Sequence, residues 1–483
     1  MKKIYLILLG LCLSVGTTWG AAYNSLYIVC SFNNWDTTQG YPMNATMTNN
    51  YFYWIGYLAN GEFKFNPSNS NWNTSFGSYS LNSEPAANVS AFASGYRVYY
   101  KYDDYSNFTR YANNIVVSTA GYYYIKIESS DGNEFVVTIN PLSTKDLSTE
   151  SNLILNQNWD TTGLGLLKTA LGSNSTITNI TFENAIPTNW AENYFENINS
   201  ECTITTNSSI TLNSTESINI PRAITATGGY TYQYTPSIYA DGTNGWESIC
   251  LPFQATTITA SKDSEADKTI NFFTNSTATG DFWLKKYNES TGVGFVGFDY
   301  APTFEANTPY IIAIPGDKWG TESDLTGYTI TFKGTGTIVT TEASTVNDNY
   351  TFKGNYASSL ALDETSYALN ATGNNFAQGP TSVSPFQAYM SAVSPNKNVR
   401  SLSIGSGGAT GLEQIFTGKA VNGLSIISAQ GSLIINTDEA RTVQIYGMDG
   451  CLIRTAELQE GNNTINGLAS GIYLINNQKA IVK

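Results

Sequence analysis

The sequence contains no histidine among its 483 residues. Histidine is the general base of Ser-His-Asp and Cys-His catalysis and a ligand in most catalytic zinc sites, so its absence excludes these classes of enzyme. Any catalysis would have to rely on carboxylates, Lys, Tyr, Ser or Cys. We therefore predict no cofactor and no metal site, although carboxylates that bind calcium stay open as an alternative.

Charged side chains are scarce as well, at 13% of the residues, and the formal net charge is −14. Phosphate binding needs clusters of Lys and Arg, so this charge balance excludes nucleic acid and, for the same reason, an anionic membrane surface as partners. The surface must be covered by neutral polar residues, because Asn, Thr, Ser, Tyr and Gly are abundant instead. Such a composition favours an extracellular β-rich protein over a cytosolic enzyme.

Cysteines are few and widely spaced. They stand at Cys12, Cys30, Cys202, Cys250 and Cys451, and no CxxC pair occurs. This spacing leaves two alternatives for the last four cysteines: isolated buried thiols, or a disulfide between Cys202 and Cys250.

Long apolar runs are missing except at the N-terminus. There Lys2 and Lys3 precede "IYLILLGLCLSVG", and the small residues of "TTWGAA" follow. This order is typical of a secretory signal peptide, which we place at residues 1–22, with cleavage after Gly20 or Ala22. A membrane anchor is the less favoured alternative, because the run is short for a bilayer.

Short runs of alternating apolar and polar residues fill most of the chain, separated by Gly, Asn, Asp and Ser clusters. This pattern predicts a mainly β protein, with several Ig-like or β-sandwich domains in tandem. One helix is predicted at 161–172, "TTGLGLLKTALG", with Gly172 as its stop and an apolar stripe. The stripe consists of Leu164, Leu166, Leu167 and Leu171. Strand-like segments on both sides predict a small β-α-β unit.

Composition divides the chain after the signal peptide into four regions. They are region one (23–142), region two (150–225), region three (226–408) and region four (411–483). Region one ends in a predicted hairpin around Asp131-Gly132, which Pro141 terminates. A Gly-Ser linker, 405–411, separates regions three and four.

A second hairpin is predicted in region one, in "YFYWIGYLANGEFKF" at residues 51–65. The Asn60-Gly61 pair is a strong turn signal, and a turn there would pair Leu58 with Phe63 and Tyr57 with Lys64. Alternation predicts a core face and an outer face. The core face consists of Phe52, Trp54, Leu58, Phe63 and Phe65, and the outer face of Tyr53, Tyr57, Glu62 and Lys64.

Two motifs of region one, "SFNNWD" and "GEFKF" followed by "NW", resemble those of starch- and glycogen-binding Ig-like domains. One branch of that family is the glycogen-binding domain of AMP-activated kinase β subunits. The other branch is the repeated domains of the outer-membrane starch-binding proteins SusE and SusF, and the residues of the second motif favour this branch. The resemblance implies an Ig-like β-sandwich that holds α-glucan with the residues matching the motif, Trp35, Lys64 and Trp72.

The chemistry of these residues agrees with what the resemblance implies. The C–H face of a sugar ring matches a flat indole, and its burial is worth about 2 kcal/mol. Lys64 would donate to sugar hydroxyls. Two departures from the family, Cys30 in place of Gly and the long loop 66–72, leave an alternative open: Trp35 and Trp72 are structural residues on a domain that binds no sugar.

Region two, with "LGSNSTITNITFENAIPTNW", resembles a fragment of BspA-like leucine-rich repeat proteins, with one recognisable repeat. A single repeat cannot bury its core, so we expect it to dock against region three. Region three is similar to a β-rich module of secreted proteins for which the resemblance implies no activity. Its expected core strands contain Trp246, Leu251, Phe253, Tyr310 and Phe386.

An exported glycan-active protein could also be a glycosidase, which needs two carboxylates that flank one bond. Region three offers Asp281, Asp299 and Glu305, but their sequence setting does not indicate a pair. Solvated surface acids are the favoured interpretation.

Region four alternates strands with the turns "MDG" and "EGN" and closes on "GIYLINNQKAIVK". It resembles the C-terminal sorting domain of type IX secretion substrates, with Cys451 where that family usually has Arg. The alternative is a β-sandwich without a sorting role.

Together these features predict an exported, surface-associated protein of a Gram-negative bacterium that binds glycan, α-glucan in particular, and is not an enzyme. Its implied partners are the glycan and the glycan-uptake or secretion machinery of the outer membrane. The alternative is an adhesin or structural surface protein without sugar binding. A hydrolase is the third and least favoured hypothesis.

Overall fold

The computed structural model describes residues 25–482, apart from 46–50, 68–74, 82–85, 101–109, 130–134, 242–243, 264, 293–294, 318–322, 342, 347–348, 379–381, 394–399, 407–423, 430–431, 438, 448–449 and 476–477. The predicted fold class is confirmed: 49% of the chain is strand, in several sheets, with one α-helix. The predicted signal peptide and most of the linker lie outside the described residues.

The chain divides into two compact units, and region one and most of region two belong to the same unit. The first unit comprises Met1–Ile210, Asn219–Tyr230 and Thr335–Val339, and the second comprises the remaining residues. Regions three and four fall mostly in the second unit.

Region one is built from twelve strands that form one continuous sheet. They are β1 (Tyr27–Cys30), β2 (Tyr41–Pro42), β3 (Asn44–Ala45), β4 (Tyr51–Leu58), β5 (Gly61–Asn66), β6 (Phe76–Leu81), β7 (Ala87–Asn88), β8 (Tyr96–Tyr100), β9 (Arg110–Asn113), β10 (Ile115–Val117), β11 (Gly121–Ser129) and β12 (Phe135–Pro141). The main order is β2-β1-β5-β6-β8-β12-β11-β4-β3. Strands β11 and β12 pair antiparallel and end at Pro141, as predicted.

The predicted hairpin at Asn60-Gly61 is wrong. Strand β4 pairs with β11, whereas β5 pairs with β1 and β10. Strands β4 and β5 each have an apolar face. Because the chain crosses from one side of the core to the other between them, these two faces pack against each other. The crossing is tight, because Gly61 has φ 149° and a Cβ there would lie 2.4 Å from Ser31 Oγ.

The predicted core face of these strands is confirmed. Phe52, Trp54, Leu58, Phe63 and Phe65 all belong to one buried cluster. On the outer face, Tyr57 is 42% exposed, as expected. Tyr53 is buried instead, because region two covers it: the Ile154 backbone N–H donates to its hydroxyl at 2.9 Å.

Region two contains the helix and a stack of parallel strands. The elements are β13 (Asn152–Leu155), α1 (Thr161–Leu171), β14 (Asn179–Phe182), β15 (Thr203–Thr206), β16 (Ile210–Leu212) and β17 (Ile224–Ala226). The predicted β-α-β unit is confirmed, since β13 and β14 pair in parallel on either side of α1. The helix ends at Gly172 in the left-handed region, with φ 53°.

Strands β14, β15 and β17 continue the parallel ladder of β13. Side chains that are hydrogen-bonded between neighbouring strands of this ladder are 27 and 24 residues apart along the chain. This spacing lies within the roughly 20–29 residues of a leucine-rich repeat. Four strands, β13, β14, β15 and β17, thus share one parallel ladder, while the resemblance to leucine-rich repeats stays a prediction. Region two meets region three through two strand pairings: the short strand Thr337–Ile338 pairs with β17, and β16 lies beside Tyr230–Tyr234 in another sheet.

Region three is β-rich throughout. Its strands are β18 (Tyr230–Tyr234), β19 (Trp246–Ile249), β20 (Thr257–Ser261), β21 (Lys268–Thr269), β22 (Phe272–Phe273), β23 (Phe282–Gly292), β24 (Phe295–Tyr300), β25 (Tyr310–Ala313), β26 (Thr329–Gly334), β27 (Thr337–Ile338), β28 (Ser344–Val346), β29 (Tyr350–Gly354), β30 (Leu360–Ala361), β31 (Ser366–Leu369), β32 (Asn375–Gln378), β33 (Ser382–Val383), β34 (Ala388–Ala392) and β35 (Ser401–Ser406). The largest sheet follows the order β19-β25-β23-β24-β35-β32-β31-β34-β29-β28, and β16-β18-β26-β20-β21 forms another.

The predicted core of region three is confirmed for four of its five residues. Leu251, Phe253, Tyr310 and Phe386 are buried, whereas Trp246 is half-buried and packs against a core cluster. Trp246 and Tyr310 lie in strands. Leu251, Phe253 and Phe386 lie in connecting segments, from which their side chains enter the core.

Region four forms two facing sheets around its own core. Its strands are β36 (Leu424–Ala429), β37 (Ser432–Thr437), β38 (Arg441–Gly447), β39 (Leu452–Leu458), β40 (Gly461–Asn466), β41 (Gly471–Ile475) and β42 (Gln478–Val482). Strands β36, β37 and β40 form one sheet, the other four form the second, and both contribute to one buried cluster.

The cysteines of the described residues are all free thiols, so the alternative of a disulfide between Cys202 and Cys250 is wrong. The favoured prediction of isolated buried thiols is confirmed for Cys30, Cys202 and Cys250. It is wrong for Cys451, which is exposed.

Candidate functional site

Trp35 lies in the loop that follows β1. A short 3-10 turn, Ser31–Asn33, leads into it, and Asn34 and Trp35 are both left-handed, with φ 56° and 58°. The backbone N–H of Trp35 donates to the Cys30 carbonyl at 2.9 Å. Residues other than glycine adopt this conformation at a cost, and such residues are concentrated at functional sites.

Hydrogen bonds hold this loop in one shape. The Asn33 amide donates to the Gln39 carbonyl at 2.9 Å. The Asp36 carboxylate accepts from the Thr38 backbone N–H at 2.9 Å and from its hydroxyl at 2.7 Å. These bonds favour the charged form and lower the pKa of Asp36. The neighbours of Trp35 in this loop are therefore fixed by their own side chains.

The tryptophans of region one have different environments. Trp54 is fully buried in the core cluster, which confirms its predicted packing role. Phe32 is half-buried and packs against that cluster. Trp35 is half-buried and is not part of the cluster. Of the two residues Trp35 and Trp54, only Trp54 fills the core.

Lys64 lies on β5, directly opposite Val29 on β1. Its side chain is half-buried, on the face opposite the buried Phe63 and Phe65. Since β1 leads straight into the loop of Trp35, both predicted site residues emerge from adjoining segments of one sheet. The third predicted residue, Trp72, lies outside the described residues.

A separate cleft of about 710 Å³ lies where region one meets region two, within the first unit. It is lined by aromatic rings, amides and one carboxylate: Phe32, Tyr41, Tyr57, Ala59, Tyr122, Gln157, Asn158, Trp159, Asp160 and Asn184. Strand alternation predicts Tyr57 on the outer face, but none of the predicted site residues lines this cleft.

Aromatic rings form much of the wall of this cleft. The Tyr57 and Tyr122 rings meet edge to face with centroids 5.4 Å apart, and Tyr122 and Trp159 are 4.7 Å apart. Tyr57 is the exposed member, whereas Tyr122 and Trp159 are almost fully buried. Burial raises the pKa of Tyr122 to about 12, so its hydroxyl stays protonated.

Polar groups fix the rim of the cleft. Gln157 has a left-handed backbone, φ 63°, and its Oε1 accepts from the Tyr57 backbone N–H at 3.1 Å. The Asp160 carboxylate accepts from the Tyr122 hydroxyl at 3.0 Å and from the Gly163 backbone N–H at 2.7 Å. Asn184 is exposed beside them.

One signal in the sequence could have revealed the cleft. The pentapeptide "NWDTT" occurs twice, at 34–38 and at 158–162. In both copies the Asp side chain caps the helical turn that follows. The first copy contains the half-buried Trp35, while Trp159 of the second is buried and donates from Nε1 to the Asn156 carbonyl at 3.0 Å.

The carboxylates of region three are engaged separately. Asp281 accepts from the Asn271 backbone N–H at 2.8 Å and the Ser323 hydroxyl at 2.7 Å. Glu305 forms an ion pair with Lys286 at 2.9 Å. Neither arrangement indicates a pair of acids flanking one substrate bond.

Among the described residues, no three Cys, Asp or Glu side chains converge in a way that could hold a metal ion. In the same part of the chain, no helix combines the length and the hydropathy needed to cross a bilayer.

Comparison with models of known protein families finds no match to this chain. Comparison with curated proteins finds no match either.

Proposed function

We propose that this protein binds carbohydrate without catalysis, and that α-glucan stacks on Trp35, with Lys64 and Trp72 completing the site. The observation that carries the proposal is the position of Trp35. It is half-buried on a hydrogen-bonded, left-handed loop, outside the core cluster that Trp54 fills. A large residue in a left-handed backbone conformation costs stability, and ligand binding would explain why Trp35 adopts this conformation.

The expected affinity is modest. Stacking of a sugar face on one indole contributes about 2 kcal/mol, and hydrogen bonds from Lys64 to sugar hydroxyls add to it. The fixed loop reduces the entropy lost on binding. A net binding free energy of about −4 to −5 kcal/mol corresponds to a Kd of about a millimolar to a few hundred micromolar.

The protein is further proposed to act outside the inner membrane of a Gram-negative bacterium, as a secreted or surface-associated protein. The signal-like residues 1–22 and the sorting-like region four support this, together with the neutral polar composition. Glycan-uptake or secretion machinery of the outer membrane would then be its protein partners.

A pull-down of the full chain on insoluble starch tests the proposal. We expect the wild-type chain to bind and Trp35→Ala to remain in the supernatant. Trp283→Ala is a matched control, because Trp283 is also half-buried but stacks on Phe273 in region three. A wild-type chain that does not bind starch would remove the α-glucan proposal and favour an adhesin or structural role.

A further inference from the structure

The cleft between regions one and two combines a set of features that the proposed Trp35 site does not use. We propose that this cleft is a second carbohydrate site, which binds a short neutral oligosaccharide across the exposed ring of Tyr57. The inference does not rest on Trp35, because Trp35 does not line the cleft.

The aromatic wall matches the apolar face of a sugar. Tyr57 lines the cleft and is 42% exposed. Phe32 and Tyr41, both half-buried, stack with centroids 6.3 Å apart and form another part of the lining. Exposed aromatic rings of this kind pack well against the C–H face of a pyranose.

The polar lining matches sugar hydroxyls. Each hydroxyl both donates and accepts, and an amide side chain does the same through its two ends. Gln157, Asn158 and Asn184 line the cleft, and Asn158 and Asn184 are exposed. Gln157 Oε1 already accepts from the Tyr57 backbone N–H, and Asn158 Oδ1 accepts from the Ala185 backbone N–H at 3.3 Å. The exposed amides of Asn158 and Asn184 are therefore the groups that the hydroxyls of a neutral ligand would meet.

The charge of the lining selects against an anionic ligand. The side chains that line the cleft include the Asp160 carboxylate, and none of these described residues is Lys or Arg. A phosphate or uronate would therefore meet a negative charge without a compensating cation. This favours a neutral oligosaccharide over an acidic one.

The cleft is also preorganised. The left-handed Gln157 is held by the Tyr57 backbone, and Asp160 fixes Tyr122 through its carboxylate. Behind them Asn156, only 2% exposed, accepts from the Asn44 amide at 3.0 Å. A wall fixed in this way loses little entropy when a ligand binds. Its volume of about 710 Å³ lies within the range of about 300–1,000 Å³ for ligand pockets.

Titration calorimetry on the full chain tests the inference. The probes are maltoheptaose, cellohexaose, xylohexaose and mannohexaose, with an oligogalacturonate as the acidic control. The Trp35→Ala chain serves as the background, so that the proposed Trp35 site is disabled. We expect this chain to bind at least one neutral probe and to ignore the acidic one.

Substitutions in the cleft then identify the site. Added to that background, Tyr57→Ala should weaken binding of that probe at least tenfold, and Asn184→Ala several-fold. Tyr57→Phe keeps the ring and should bind like the background chain. Both cleft residues are exposed on at least part of their surface, and an unchanged melting temperature would exclude unfolding as the cause.

Two results would overturn the inference: no binding of any neutral probe to the Trp35→Ala chain, or binding that Tyr57→Ala and Asn184→Ala leave unchanged. The outcome for the proposed Trp35 site is independent of the outcome for the cleft. If Trp35→Ala binds starch like the wild type while Tyr57→Ala loses an oligosaccharide, the Trp35 site fails and the cleft stands.

Discussion

The hydroxyl of Tyr122 and the carboxylate of Asp160 lie 3.0 Å apart, and this hydrogen bond ties the first turn of helix α1 to strand β11. The same Asp160 oxygen caps the helix by accepting from the Gly163 backbone N–H. One carboxylate thus performs two tasks: it begins the helix of region two and it links that region to region one.

Loss of this carboxylate should loosen the helix. For Asp160→Ala we expect a cost of about 1–2 kcal/mol, from the lost cap and from the acceptor that the Tyr122 hydroxyl loses; that hydroxyl keeps only the bond from the backbone N–H of residue 160 at 3.2 Å. Hydrogen exchange of peptides from α1 should then accelerate by about 5- to 30-fold, since about 1.4 kcal/mol is a factor of ten. Asp146→Ala is the control, because Asp146 is exposed and accepts from the nearby Ser148 backbone. Equal exchange in both variants would contradict the linking role.

Some of the fold follows directly from local pattern. The helix was predictable because Leu164, Leu167 and Leu171 repeat at helical spacing and Gly172 can adopt the left-handed stop. The core face of β4 and β5 was predictable because side chains alternate along a strand whatever its partner. Region four likewise followed from alternating strands and turns.

Strand partners were not predictable in the same way. The Asn60-Gly61 signal describes a tight turn, but a tight turn also serves a crossing between opposite sides of a core. The choice depends on β11, which is more than fifty residues away along the chain. The cleft was missed for the same reason, because its walls come from two regions that meet only in the folded chain.

The four described thiols should differ sharply in reactivity. Burial raises the pKa of Cys30 and Cys250 to about 12 and also raises that of Cys202, so their thiolates are scarce as well as inaccessible. Cys451 is exposed. At pH 8, iodoacetamide should label Cys451 within minutes and the other three only in denaturant, as peptide mass spectrometry would show. Rapid labelling of Cys30 in the folded chain would contradict the buried position.

Lys285 should make stability depend on pH. It is 5% exposed, between the rings of Trp246 and Tyr300, and burial lowers its pKa to about 8. Between about pH 8 and 10.5 the unfolded chain binds more protons at this residue, so the free energy of unfolding rises with pH, by about 3 kcal/mol in total. Below pH 8 the full cost of the buried charge is present.

Replacement of this lysine provides the measurement. Lys285→Met keeps a side chain of similar length without the charge, so the rise in stability between about pH 8 and 10.5 should disappear. Urea unfolding at a series of pH values, followed by the fluorescence of region three tryptophans, would show this. An equal pH slope in both chains would mean that Lys285 is not the group responsible.

Trp54 should behave as a core residue. It is fully buried, so Trp54→Ala should cost about 3–5 kcal/mol. Its indole nitrogen has no hydrogen-bond partner among the described residues, so Trp54→Phe loses volume but no hydrogen bond and should cost clearly less. Thermal unfolding of the full chain would rank the variants. A Trp54→Phe chain as unstable as Trp54→Ala would contradict this account.

Affinity electrophoresis in a gel containing amylose measures whether α-glucan binds at Trp35. The wild-type chain should be retarded relative to a gel without amylose, and so should the Trp283→Ala control. Trp35→Ala should lose about 2 kcal/mol of binding, close to thirtyfold, and migrate as if amylose were absent. Its melting temperature should fall only slightly, because Trp35 is half-buried and outside the core cluster. Retardation of Trp35→Ala equal to that of the wild type, or no retardation of the wild type, would contradict binding at Trp35.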